Sequence, residues 1–363
     1  MSQGDPLRRA VLNFTEELRK ERGTFAAPAP GTTRLPLEEL IEATKLRRPD
    51  FTATTVTVHD DPEAPVVVAA GRSGTLFVDP YSGNVSEPGA PTLRAFFAAV
   101  EGWHRWFNAS GENRAAARAI TGAANLAFLF LVLSGMYLWL PRMFKWAAFK
   151  YRVFFNPKAN TAKARDFNWH HVLGIWSAIP LAIVVATAVV FSYPWANDLV
   201  YRSMGEEPPR RGPPGPPPAA RTTAPAVEPL AAAGLGFDDL LARAAAHGHW
   251  RALTLTIPQA ADTSVRIGID EGNGGQPQRR HTLTLNASTG AVEAWAPFSS
   301  QTAGQRARSW VRFLHTGEAL GIFGQTIAGL VSLTSIVMVW TGLALAWRRL
   351  VQPLFRGKTT TQL

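Results

Sequence analysis

The chain has no cysteine. That excludes disulfides, thiol nucleophiles, Cys-ligated zinc and iron–sulfur clusters, so each soluble segment must hold together by an ordinary apolar core. A nucleophile elbow, a glycine-rich phosphate loop, a dinucleotide fingerprint and an HExxH helix are missing too. Any flavin or nicotinamide chemistry therefore belongs to another protein. Near the start there is no apolar stretch of about 7 to 15 residues, so residues 1–34 read as an amphipathic segment and not as a signal peptide. Three long runs lack charge altogether: 119–141, 172–197 and 319–347. Each supplies the roughly 20 residues needed to cross a hydrocarbon core about 30 Å thick, and each is read as a transmembrane helix.

Acidic residues are scarce only in two places, and both lie beside those runs. The loop 142–171 carries seven basic residues and one acid, and the tail 348–363 carries four basic residues and no acid. These two segments account for the net charge of +10, while the larger soluble segments are close to balance. Basic excess in short loops at span ends is the positive-inside pattern. It places 142–171 and the C-terminus in the cytoplasm and both larger segments outside. Nucleic acid is not an expected partner; the lipid bilayer is. Residues 1–118 then have to be exported. The exit of the second span, Ala188 to Arg202, reads like Ala10 to Lys20, a short apolar end, an aromatic and a polar helix. The expectation is that the chain begins just after a further spanning helix.

The soluble segments look duplicated. Residues 35–100 read as a small α+β module, with a helix over Leu35–Leu46 that places Leu37, Leu40 and Ile41 on one face. Strand-like runs follow at Thr52–Val58, Val66–Ala70 and Thr75–Val78, closed by the turn Asp79–Val85. After a linker, 198–235, whose nine prolines between 205 and 229 predict extended chain, the pattern returns in 236–297. Gly236–His247 gives the helix, and Ala252–Ile257, Ser264–Ile269 and His281–Leu285 give strands. Asn286–Val292 matches the closing turn. Each copy runs through an aromatic, basic segment bearing a histidine (101–118 and 298–318) into a span.

Four histidines precede the spans: His104 in EGWHRWF, His170 and His171 in FNWHHVLGIW, and His315 in RFLHTGEALG. Topology puts His104 and His315 near the outer face and His170 and His171 near the inner one. Imidazoles at one depth on neighbouring helices suit bis-histidine ligation of a haem or a metal, and small pairs (Ser134-Gly135, Thr187-Ala188, Thr341-Gly342) let helices approach closely. The plainer alternative is an interfacial belt shared with Trp103, Trp106, Trp169 and Trp310. Ionisable groups at membrane depth favour the functional reading. His59, His247, His249 and His281 read as polar turn, loop or strand-end residues.

At WHRWF (Trp103–Phe107), SGMYLWLPR (Ser134–Arg142), WHHVLGIW (Trp169–Trp176) and LHTGEALGIFG (Leu314–Gly324), the chain resembles the PepSY-associated transmembrane family of bacterial inner-membrane proteins linked to iron and siderophore uptake. The resemblance implies an α+β membrane protein with two small periplasmic PepSY-like modules and a cytoplasmic C-terminus. Its members carry four spans, the first with its own histidine. It further implies a haem b protein passing electrons from an external donor, a quinol or a cytoplasmic reductase, to a periplasmic ferric siderophore or other iron chelate. His104 and His315 would hold an outer haem. His170, four residues before Gly174, fits the family histidine better than His171 and would take its partner from the further span. Two alternatives stay open. One is a non-redox PepSY membrane protein with a binding, regulatory or peptidase-inhibitory role. The other is a transporter component, against which the uncharged spans argue.

Overall fold

A computed structural model describes residues 31–71, 74–140, 146–209, 234–259 and 262–355. Most of the amphipathic N-terminal segment, most of the proline-rich linker and the end of the basic tail lie outside the described residues. The chain forms two compact units, one of residues 1–104 and 209–302, the other of 105–208 and 303–363.

The first unit is an antiparallel sheet of eight strands in the order β4-β3-β2-β1-β5-β6-β7-β8. Helix α1 (Leu37–Arg47) precedes β1 (Thr55–His59), β2 (Val66–Ala69), β3 (Thr75–Val78) and β4 (Val85–Ser86). Helix α7 (Phe237–Ala245) precedes β5 (Ala252–Thr256), β6 (Ser264–Asp270), β7 (Arg280–Asn286) and β8 (Val292–Ala296). The two copies read from the sequence are thus two meanders fused at β1 and β5, which pair with Thr55 opposite Thr256 and His59 opposite Ala252. That register is its own inverse, so a local two-fold passes between Thr57 and Thr254, whose hydroxyls lie 3.0 Å apart. Either meander alone would leave β1 or β5 as an open edge, and the fusion removes both.

Alternation in the strands follows burial. Val56 and Val58 of β1, Leu253 and Leu255 of β5, Ile267 and Leu283 all point into one core, which α1 and α7 cover with Leu37, Leu40, Leu240 and Leu241. The helices also close each other's first turns. Leu37 N–H donates to the Asp238 carboxylate at 2.9 Å, and Phe237 N–H donates to Glu38 at 2.6 Å. The repeated turns have one construction: Gly83 and Gly290 take φ of 69° and 66°, and their N–H groups donate to the carbonyls of Asp79 and Asn286. Within the module bounds 35–100 and 236–297 the sequence reading named no strand after these turns, whereas the chain goes on into β4 and β8. No burial pattern announces β8, because all five of its residues are exposed.

The second unit is helical. Helix α2 (Pro91–Trp106) carries the chain into it, and α3 (Asn113–Trp139), α4 (Trp146–Val153), α5 (Ala162–Ser192), α6 (Pro194–Ser203), α8 (Ala303–Thr316) and α9 (Gly321–Ala346) follow. Among the described residues, three helical stretches are long and apolar enough to cross a membrane: Asn113–Trp139, Ala162–Ser192 and Glu318–Phe355. The protein is an α+β membrane protein. Of the most apolar window in each stretch, 39% is buried in α5 against 11% in the other two, so α5 is the central helix and α3 and α9 flank it. Val132, Leu181, Val185 and Val331 form the small core among them.

Candidate functional site

Helix α5 starts ten residues before its uncharged run, because Thr161 caps it by accepting from Ala164 N–H at 3.1 Å. His170 and His171 therefore stand two turns inside the helix and not ahead of it. One end of α5 is anchored by polar contacts that leave nothing buried and unpaired at those positions. Asp166, 4% exposed, accepts from Arg348 at 2.7 Å and Arg165 at 3.3 Å. Asn168 donates to the Tyr151 and Phe154 carbonyls and accepts from Asn156 N–H, which holds α4 and its following loop against α5.

His170 faces α9. Its Nδ1 lies 3.0 Å from the Thr341 hydroxyl. That hydroxyl donates its own proton to the Val337 carbonyl at 2.8 Å, so it accepts from Nδ1–H. Beside it Gly342 makes the room: a Cβ there would stand 3.2 Å from His170 Cε1. His171 Nδ1 lies 2.9 Å from the Phe167 carbonyl, which can only accept, so Nδ1 again carries the proton.

His315 ends α8 and faces α5 from the other side. Its Nδ1 lies 2.9 Å from the Val184 carbonyl and 3.2 Å from the Thr187 hydroxyl, which back-bonds to Ile183. Phe191 stands edge-on to its ring at 5.4 Å. The turn that places His315 depends on two glycines. Gly317 has φ of 77°, and any Cβ on Gly317 or Gly324 would run into the backbone of the other. In all three imidazoles Nδ1 donates, which leaves the lone pair on Nε2, the state a metal-ligating histidine needs.

The sites lie at two depths. From His170 to Val184 is fourteen residues of α5, or about 21 Å along the axis. Around His170 and His171 a cleft of about 260 Å³ opens between α3 and α5, with Met338 of α9 at its side. Its walls are apolar (Leu131, Val132, Met136, Ile175, Leu181), with Gly135 and Gly174 contributing no side chain. Trp139 also lines it, and its indole N–H is buried without a hydrogen-bond partner. A large planar apolar group with an imidazole-seeking iron fits this chemistry. Among the described residues no three His, Cys, Asp or Glu side chains come together as a metal cluster.

His104 lies on α2, exposed, within the arc of Phe96, Phe97, Val100 and Trp103 on the helical wheel. Phe107 and Asn108, at φ of 52° and 56°, end that helix before α3 begins, so His104 is on a separate helix from the span it precedes in sequence. Among the weaker candidates, His281 is more engaged than its sequence context suggested. It accepts from Phe298 N–H at Nδ1, contacts Glu271 at 3.2 Å through Nε2, and packs with His247 around Trp295. The hydroxyls that orient His170 and His315 went unread as polar partners. Thr341-Gly342 and Thr187-Ala188 were noticed in the sequence only as small pairs.

The family model described as the PepSY-associated TM region matches residues 11–349. No match was found among curated proteins. The chain belongs to the PepSY-associated transmembrane family.

Proposed function

We propose that this family member is a haem-containing electron-transfer protein of the bacterial inner membrane that delivers electrons to a ferric chelate, such as a ferric siderophore, outside the cytoplasm. One observation carries the reading: His170, His171 and His315 each donate from Nδ1, the tautomer that puts the ligating lone pair on Nε2, at two depths beside one central helix. A polar group inside a bilayer is costly, and three of them oriented alike need a use. By the positive-inside rule the end bearing Arg152, Arg165 and Arg348 faces the cytoplasm, which sets His170 and His171 inward and His315 outward.

His170 and His315 would each hold a haem, one at each depth, and His171, whose cleft is the same, is the competing inner ligand. Bound there, haem b would supply one-electron transfer, with a potential set by the imidazoles and their hydrogen bonds. The chain's own residues orient the rings, and the apolar walls keep water from the cleft. The electron donor, a quinol or a cytoplasmic reductase, would act at the inner end, and the iron chelate is the substrate.

The test is the visible spectrum of detergent-purified protein, oxidised and dithionite-reduced, for wild type and for His104→Ala, His170→Ala, His171→Ala and His315→Ala. Reduced bands of imidazole-ligated haem, weakened or shifted in His170→Ala and His315→Ala, are expected. The His104 variant reports whether that imidazole is also a ligand. A colourless wild type after expression with ample haem would overturn the reading and leave a non-redox binding or regulatory role.

A further inference from the structure

We infer that Thr341 and Thr187 are positioning residues, one for each site, which fix the tautomer and ring plane of His170 and His315. The inference rests on the reading above that these imidazoles ligate haem, and it assigns a job to two residues that touch no iron. A threonine hydroxyl has one proton. In Thr341 it goes to the Val337 carbonyl at 2.8 Å, and in Thr187 to the Ile183 or Val184 carbonyl, each at 2.8 Å. What each oxygen still offers is a lone pair, and the ring nitrogen opposite it must therefore be an N–H.

The two hydroxyls are exchanged. Thr341 of α9 serves His170 of α5, while Thr187 of α5 serves His315, three residues ahead of the turn into α9. The sites are not equally dependent on them. His315 Nδ1 also has the Val184 carbonyl at 2.9 Å, a backbone acceptor that no side-chain change removes. His170 has Thr341 at 3.0 Å, with the Met338 carbonyl next in reach. Valine matches threonine in shape and offers no acceptor. With valine at 341 the His170 ring is free to carry its proton on Nε2, where a ligand needs the lone pair. Serine keeps the acceptor.

Two readouts on the full-length protein test this. The first needs no haem: nitrogen-15 spectra of histidine-labelled apo protein read each ring's tautomer. Thr341→Val is expected to move His170 from Nδ1–H toward Nε2–H, Thr187→Val to move His315 less, and Thr341→Ser to restore the wild-type tautomer. The second is hemin titration and a redox titration. Thr341→Val is measured in His315→Ala protein and Thr187→Val in His170→Ala protein, so that one site is read at a time. Loss of such an outer hydrogen bond typically costs about 10- to 100-fold in affinity. That drop is expected for Thr341→Val, with a higher midpoint potential because the imidazole becomes a weaker donor to ferric iron. Unchanged tautomers in Thr341→Val overturn the inference whatever haem does. Tautomers that shift in a protein that takes up no hemin overturn the haem reading instead and leave the hydroxyls as tautomer controls.

Discussion

Both compact units are tied together by reciprocal polar contacts, but the goods differ. In the sheet unit the carboxylates of Glu38 and Asp238 go to the first N–H of the opposite helix. Every helix start has such N–H groups, and they must be satisfied somewhere, so folding alone explains the exchange. In the helical unit the hydroxyls of Thr341 and Thr187 go to imidazoles. A membrane bundle has no structural need for an imidazole, and burying one opposes insertion. Reciprocity in the first unit is a device of stability; in the second it supports the proposed site.

The largest effect that separates the two units is expected at Gly317. Valine there meets a left-handed backbone and collides with the backbone of Gly324. The left-handed conformation costs about 1–2 kcal/mol and the overpacking about 1–3 kcal/mol. Gly317→Val should abolish the His315 contribution to the reduced spectrum while the His170 contribution survives, because Thr341 and Gly342 are untouched. Loss of both contributions together would mean that the two sites form one cooperative structure.

Next in size is a break confined to the sheet. Leu255 is fully buried at the centre of β5, beside the fused pair. Leu255→Ala should cost about 2–5 kcal/mol, read as an earlier thermal transition and faster proteolysis of the soluble segments. The bands assigned to His170 and His315 should stay where they are. A spectrum that moves with Leu255→Ala would contradict the division of labour drawn above.

How much of this was legible follows from which signals are local. The spans, the small pairs and the four histidines lie in uninterrupted stretches, so composition and spacing exposed them. The duplication was visible because a helix, three strand-like runs and a closing glycine turn recur in the same order in 35–100 and 236–297. The fusion of the copies was not, since the pairing of Thr57 with Thr254 bridges 197 residues and two of the spans. β8 escaped because an exposed strand has no burial alternation to detect. The start of α5 was placed too late because charge was taken as the helix boundary, whereas Thr161 and the paired Asp166 let the helix continue through it. That misplacement hid the depth of His170 and, with it, the link to Thr341.

A smaller effect tests the carboxylate exchange. Burial holds the Asp238 carboxyl above the usual carboxylate range; the bond from Leu37 N–H works against this, and Glu38 and Asp239 add to the rise. A raised folded-state value means that the folded protein binds its proton more tightly than the unfolded chain does. Asp238 thus favours folding most at pH below its ordinary value, and that contribution is lost as pH climbs through the raised one. Asp238→Ala removes the acceptor and should cost about 1 kcal/mol. Asp238→Asn keeps an acceptor without the charge, so it should cost less than alanine at neutral pH and flatten the pH dependence just above the ordinary carboxylate range. Melting curves of the three proteins across that range decide it. An asparagine variant that melts with alanine would show that the charge, and not the acceptor, matters.

The smallest expected effect sits on the two-fold itself. Thr57 and Thr254 face each other on the half-exposed side of the sheet, where a cross-strand pair contributes roughly 0.2–1 kcal/mol. Replacing either by valine leaves the partner hydroxyl able to turn to water, so each single change should be mild. The double change should cost less than the sum, because a valine pair suits the same position in a sheet. A double-mutant cycle on thermal stability measures that coupling. The equivalent cycle on Thr341 and Thr187 is expected to be additive in hemin affinity, since each serves its own imidazole about 21 Å from the other site. Coupling in the sheet and additivity in the bundle would set folding reciprocity apart from site reciprocity; coupling in the bundle would mean that its two imidazoles answer to a single packing arrangement of α5 and α9.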